Sequence, residues 1–424
     1  MTLNTSFKKI KIVLIILILV FLSFSSVSIS NDVKDFNETK ELYLLRVEHY
    51  LELEAAENTE SFHVKYVFPP DYGYQVPIVM ELLNDTTANV LSYNIEKYGV
   101  EPNNVVNFTL DSMSQNEHRM IHFTIWVLVE KHDFLEIPKD ISLPQSPYDT
   151  PVETRLWLSR SDMVQVNRLR IKYYANKLEG TNDNILSYAK NVSSFIKNHR
   201  YGLFLIQLWT QTFLKQDAIT TLTINGENVG RSHLACALFR TQNIPARVIL
   251  AHNDQGFWTQ MHYMVEYYIP TYGWVLLDST KGMTPYSTQR QVINRICSIK
   301  DEMNTKKDYI LPFMKGEERW IWIDTESVNP YYVDCKEGSK SQMFMETSVS
   351  AKSFASDYTF FRTQNVFSQY KKFLGQNLSP ENQKHVQNAI DFQVKACNAL
   401  VETNDLNEYV YFIEKAYDEY KSIN

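Results

Sequence analysis

Glycine and proline are scarce in this sequence, at 12 and 14 of 424 residues. That excludes collagen-like and low-complexity architectures, which depend on those residue types. The spacings that bind metals are missing too. There is no Cys-x-x-Cys and no His-Glu-x-x-His, so no structural or catalytic zinc site is expected. Cysteine stands at only four positions, Cys236, Cys297, Cys335 and Cys397. An excess of basic charge is also absent. The formal net charge is −7, and Lys8, Lys9 and Lys11 are concentrated at the extreme N-terminus, so the rest of the chain is more acidic still. A chain of this sign has no bulk attraction for a phosphate backbone, and nucleic acid is not an expected partner. Nothing in the residue pattern asks for a cofactor.

Hydrophobic residues make up 44% and charged residues 21%, a globular balance. The chain carries 26 Tyr and 23 Phe, enough large side chains for sizeable cores. At about 100–200 residues per domain, the length suggests two or three domains.

The N-terminus reads as an export device. The three lysines precede an uncharged run from Ile12 to Ser30 with the apolar heart IVLIILILVFL. A basic start followed by an apolar stretch directs export, and small residues around Ser26, Ser28 and Ser30 suit cleavage. The run also approaches the roughly 20 residues that span a bilayer. Residues 1–30 are therefore a signal peptide or an N-terminal membrane anchor. In either case the body faces outward. The protein is expected to be secreted or held on the extracellular face, touching the membrane only through this segment. Acceptor patterns for N-glycosylation at Asn37, Asn84, Asn107, Asn191 and Asn377 agree with export. In an oxidising compartment, Cys297 and Cys335 are the expected disulfide pair.

Residues 32–145 read as β structure. Phe62, Val64, Tyr66 and Phe68 alternate with polar neighbours, as do Ile121, Phe123, Ile125, Val127 and Val129. Period-two alternation gives one buried face and one solvent face. Turn-rich pieces such as PPDYG separate the runs, and an N-terminal β-sandwich is the natural architecture. A proline-bearing linker, KDISLPQSPYDTP, leads to a mixed α+β region over 155–345. Within it Ile185, Tyr188, Ala189, Val192, Phe195 and Ile196 keep helical spacing. Residues 350–424 read as helical. Ser379-Pro380 is a hydroxyl cap followed by proline at the first helical position. After the ETND turn, Tyr409, Ile413, Ala416 and Tyr420 form a packing stripe. The fold class expected is thus α+β and multidomain.

The chemistry concentrates in NGENVGRSHLACALFRTQNIPARVIL (225–250) and HYMVEYYIPTYGWVLLDST (262–280). The first reads as a Gly turn, an amphipathic helix, a tight turn at Asn243 and a strand. The second reads as two strands joined at Pro270–Gly273. Antiparallel strands joined in this way bring their far ends together, so His262 and Asp278 become neighbours. An Asp beside a His fixes its tautomer and supports the imidazolium.

This ordered set resembles the core of the transglutaminase-like (papain-type) superfamily. Gly226, Arg240, Ile244-Pro245-Ala246-Arg247, His262, Glu266, Gly273-Trp274 and Asp278 match its motifs in order, over about 120 residues. The resemblance implies a Cys–His–Asp site, with a thiolate at a helix N-terminus that attacks an amide carbonyl. Here the position that should carry the thiol falls on Asn228. An amide is no nucleophile, but it caps a helix well. Ser232, one turn on, and Cys236, two turns on, are the substitute nucleophiles to consider. Trp258, Tyr263, Glu266 and Trp274 are candidates to line a groove, against the plainer reading that strand aromatics are core.

Three functions compete. A protein without turnover would bind a polypeptide, cell-wall or glycan ligand in its groove. An acyl-transferase or peptidase would use a displaced nucleophile with His262 and Asp278. A structural surface protein would use the central domain as a spacer.

Overall fold

The computed structural model describes residues 39–134, 136–180, 184–199, 215–254, 259–287, 289–304, 321–334 and 344–423. The expected signal or anchor over residues 1–30 lies outside them. No helix among the described residues is long and apolar enough to cross a membrane.

Six strands come first: β1 (Thr39–Ala55), β2 (Phe62–Phe68), β3 (Gln75–Leu82), β4 (Val90–Lys97), β5 (Asn104–Leu110) and β6 (His118–Glu130). A helical stretch follows, with α1 (Leu169–Glu179), α2 (Ile185–Asn198), α3 (Ala218–Thr223) and α4 (Asn228–Thr241). Strands β7 (Ala246–Asp254), β8 (Thr259–Ile269), β9 (Gly273–Leu277) and β10 (Gln291–Ile296) come next, then α5 (Ile299–Asn304). Strands β11 (Ile321–Ile323), β12 (Val328–Asp334) and β13 (Phe344–Lys352) precede α6 (Ser353–Phe373), α7 (Pro380–Thr403) and α8 (Leu406–Lys421).

Three antiparallel sheets result. One runs β12-β1-β6-β3, with β13 also on β1; the second runs β11-β2-β5-β4; the third runs β10-β7-β8-β9. The first two face each other: Phe123 of β6 packs its ring against Tyr66 of β2 and Phe108 of β5. Neither sheet is closed by residues 32–145 alone. The long strand β1 takes β6 on one edge, and on the other takes β13 along Thr39–Val47 and β12 along Tyr50–Ala55. Strand β11 extends the second sheet through β2. The expected boundary near residue 345 is therefore corrected: strands from 321 onward belong to the N-terminal sheets. The sequence hides this because short strands pair by free edges, which leave no local signature.

The alternation read in β6 also needs correcting. Ile121 to Glu130 is buried at every position, not every second one. The strand is central in its sheet, and α6 and α7 pack against its neighbours β1 and β3. Helix α7 starts with the capping read from sequence. Ser379 accepts from the Asn382 N–H ahead of Pro380, and Asn404 ends α7 in the left-handed region at φ 54°. Tyr409, Ile413, Ala416 and Tyr420 are buried.

Two side-chain amides fasten the third sheet to the other two. Strand β10 is an edge strand, with backbone groups that need partners. Gln75 of β3 donates to the Ile293 carbonyl at 2.8 Å and accepts from the Ile293 N–H at 2.7 Å. Asn103 treats Ile296 the same way, at 2.8 Å for both bonds. Each amide stands in for one residue of a neighbouring strand.

Candidate active site

Helix α4 carries the first side chain of the site. Its N-terminus is set by a close approach to α3. A β-carbon at Gly226 or Gly230 would collide with Thr221, and at Gly230 also with Gln216. Glu227 is the N-cap residue and Asn228 the first helical residue. Asn228 is thus not the cap expected of it, and its amide is left to point elsewhere. Helix α4 is not amphipathic either: Val229 through Arg240 are all buried. Helices α1, α2 and α3 and strands β7 and β8 pack around it. Its polar residues survive burial through hydrogen bonds. Arg231 donates to the Gly226 carbonyl, His233 bonds the Gln216 carbonyl, and Arg240 forms a buried fork on Glu302.

The hairpin β8–β9 supplies the rest. Val265 pairs with Leu277 and Ile269 with Gly273, so the open end holds His262 beside Asp278. His262 Nε2 lies 3.1 Å from Asp278 Oδ2. On the other ring nitrogen, Asn228 Nδ2 approaches Nδ1 at 3.4 Å. An amide N–H donates to Nδ1 only if that nitrogen is the acceptor, so in the neutral ring the proton sits on Nε2, directed at Asp278. The ring is 3% exposed and Asp278 0%. The backbone N–H groups of Thr280 and Lys281 both donate to Asp278 Oδ1 at 2.9 Å. Burial works to raise the Asp278 carboxyl, but the His262 bond and charge, with Lys281, outweigh it and hold it below the usual carboxylate range.

Neither substitute nucleophile is hydrogen-bonded to the ring, whose partners are Asn228 and Asp278. Ser232 is fully buried, and its Oγ lies 2.9 Å from the Asn228 carbonyl, 3.1 Å from the Tyr263 carbonyl and 3.3 Å from Ser279 Oγ. It serves to tie α4 to β8 and the turn after β9. Cys236 is completely buried among core residues, where burial pushes its thiol well up against the pull of Arg240. A thiol held protonated is inert. Cys297 is a buried free thiol, which corrects its expected pairing; Cys335 lies outside the described residues.

The groove candidates divide. Trp258 lies outside the described residues. Tyr263 is 4% exposed and belongs to the core. Glu266 and Trp274 do border a cavity of about 290 Å³, but His262, Asn228 and Asp278 do not line it. Four residues along β8 from His262, about 13 Å, Glu266 binds Arg247 at 2.8 Å and accepts from the Tyr72 hydroxyl at 2.9 Å. The Arg247 guanidinium lies over Trp274, 3.8 Å from the ring centroid. Sequence reading missed Tyr72 and Glu302. Both act across long sequence separations, and only the acidic first turn of α5 hinted at Glu302. Among the described residues, no group of three or more His, Cys, Asp or Glu could hold a metal ion.

Residues 172–279 match the family model described as the transglutaminase-like superfamily, a span that holds Asn228, His262 and Asp278. Among solved structures, the chain is similar to a Cytophaga hutchinsonii protein provisionally described as a cysteine protease, at 15% identity and a TM-score of 0.47, covering 74% of this chain and 91% of that one. It is also similar to the periplasmic domain of TgpA from Pseudomonas aeruginosa, at 13% identity and a TM-score of 0.25, covering 55% and 94%. No curated protein matches.

Proposed function

We propose that this chain, whose residues 172–279 form a transglutaminase-like domain, is an exported binding protein. Its acyl-transfer site has lost its nucleophile, and it takes a polypeptide, cell-wall or glycan ligand. The observation that carries the reading is the 3.4 Å approach of the Asn228 amide to His262 Nδ1, where a thiol would have to stand. Position 228 opens a helix, so the partial positive charge of the helix N-terminus is in place, as are the histidine and its buried aspartate. Only the ionisable atom is missing. The readings with Ser232 or Cys236 as nucleophile lose support from the hydrogen bonds of the first and the burial of the second. Export rests on the basic start and apolar run of the first thirty residues.

One observation favours the purely structural reading: His262 and Asp278 are both buried. The two readings part on ligand binding, and both part from the enzyme reading on turnover. The test is incorporation of a fluorescent primary amine, and cleavage of casein, by the purified protein. The proposal expects no rate above buffer. A rate that vanishes in His262→Ala would refute it.

A further inference from the structure

The acidic net charge of the chain conceals a basic stretch. Residues 155–200 hold nine Lys and Arg against three Asp and Glu. Arg160 and Arg168 of this stretch, with Lys215, line a cavity of about 650 Å³. All three are exposed. The cavity is separate from the His262 site. Arg240, at the C-terminal end of α4 and about 18 Å along the helix from Asn228, donates to the carbonyl of Ser159, the residue before Arg160.

Two of the three cations are unanswered. Arg160 and Arg168 form no ion pair, side-chain hydrogen bond or ring contact among the described residues. Arg168 precedes α1, and its side chain takes no part in capping. Lys215 has one partner, Asp217 at 3.4 Å. Asp162 is the one carboxylate lining the cavity among the described residues, and it pairs with none of the three. Like charges gathered round one space repel, and an anion placed between them turns that repulsion into attraction.

The walls are held in place. The Ser161 N–H donates to the Val164 carbonyl at 3.1 Å, and Ser161 Oγ accepts from the Val164 N–H at 3.0 Å. The Gln165 amide donates to the Asp162 carbonyl at 2.8 Å and accepts from the Ile219 N–H at 3.0 Å, which joins this turn to α3. The backbone that carries the cations is thus set before a ligand arrives, which lowers the ordering cost of binding.

A guanidinium presents a planar fork that matches two oxygens of a carboxylate or phosphate. Two such forks and an ammonium exceed what the two oxygens of a carboxylate can answer, and suit the three terminal oxygens of a phosphate monoester. Ser161, Gln165 and Asn167 make the rest of the wall polar, and Ile299 is its sole apolar side chain among the described residues. The volume lies within the range of about 300–1,000 Å³ typical of ligand sites. It leaves room for a hydroxylated body beyond the phosphate, while an acyl chain would find no apolar wall.

We propose that this cavity binds the phosphate monoester of a polar alcohol such as a sugar, with Arg160 and Arg168 gripping the phosphate and Lys215 adding charge. This site goes beyond the reading of the His262 site and does not depend on it.

The test titrates the purified chain with glucose 6-phosphate by calorimetry. Glucose, and vesicles of equal parts phosphatidylglycerol and phosphatidylcholine, are the comparisons. Saturable binding of glucose 6-phosphate is expected, with none of glucose. It should weaken about tenfold or more in Arg160→Gln and in Arg168→Gln, weaken with added salt, and tighten in Asp162→Asn. Both arginine variants should keep the thermal midpoint of the parent, since exposed side chains without partners hold little stability. Binding should persist in His262→Ala, so a failure here is separable from a failure of the binding-protein reading. Absence of glucose 6-phosphate binding, undiminished binding by the arginine variants, equal binding of glucose, or binding of the vesicles without the sugar phosphate would each overturn the proposal.

Discussion

The Asn228 amide meets His262 Nδ1, the point where, on the proposed reading, a thiol would surrender a proton. With Asn228 beside it, His262 still has a bonded aspartate but has no proton to collect. The His–Asp pairing was legible in the sequence because a hairpin makes it a matter of counting. The identity of the residue facing Nδ1 was legible only through the family resemblance. The hydrogen bonds of Ser232 were not legible at all, since they depend on which carbonyls its hydroxyl meets across the fold. Elsewhere, single histidines set the pH response. Burial pushes His252 down to about 3, opposed by the Asn294 hydrogen bond, and burial beside His252 and His122 pushes His49 well down too. Both are neutral when folded and bind protons near pH 6.5 once unfolded. The unfolded state then holds more protons below that pH, so this stability is complete above about 6.5 and is lost as pH falls toward 3. Each group contributes a slope of about 1.4 kcal/mol per pH unit in that window. Urea unfolding at pH 7, 6 and 5 should show the decline, and His252→Gln should remove roughly half of it. An unchanged slope in the variant would show that His252 is not buried as a neutral ring.

Among the elements, α4 departs furthest from its sequence pattern. A helix with Arg231, Ser232, His233 and Arg240 reads as half exposed, because a pattern counts polar residues and cannot see their partners. Burial of Arg240 is tolerable because Glu302, from α5, meets it in a fork, with the Ser159 and Ala246 carbonyls taking further donors. Removing one member of such a pair leaves a buried charge without its partner. Arg240→Met should cost about 3–5 kcal/mol. The double variant Arg240→Met, Glu302→Leu should recover much of that, since an apolar pair of similar volume is often neutral. Denaturant titration of the parent, both single variants and the double forms the cycle, and additive losses would mean the pair is not coupled. The N-terminal cap of α7 was legible because capping is local: Ser379 and Pro380 act within three residues of themselves.

At the scale of the whole molecule, the class and order of the elements were legible and their grouping was not. Residues 62–68 and 121–129 announce strands, yet nothing local states that the outer edge of β1 waits for strands some three hundred residues later. This grouping has a consequence for fragments. Residues 32–145 alone leave that edge of β1 unpaired along its whole length, with the β11 side of β2 open as well. Such edges template aggregation. The isolated fragment should be insoluble or unfolded, and the same segment within the full chain should resist limited proteolysis. A soluble fragment with a cooperative melt would contradict this grouping.

On the proposed reading, the site lacks a nucleophile and little else. The most direct measurement is the alkylation rate of the Asn228→Cys variant by iodoacetamide between pH 5 and 8, read by mass spectrometry against the parent chain. A thiol at the first residue of α4, beside His262, should form its thiolate below the ordinary cysteine range near 8.5. Modification at position 228 is expected already at pH 6, slowed in the double variant Asn228→Cys, His262→Ala, while the buried Cys236, Cys297 and Cys397 stay unmodified. An introduced thiol that reacts only above about pH 8, or reacts equally without His262, would contradict it.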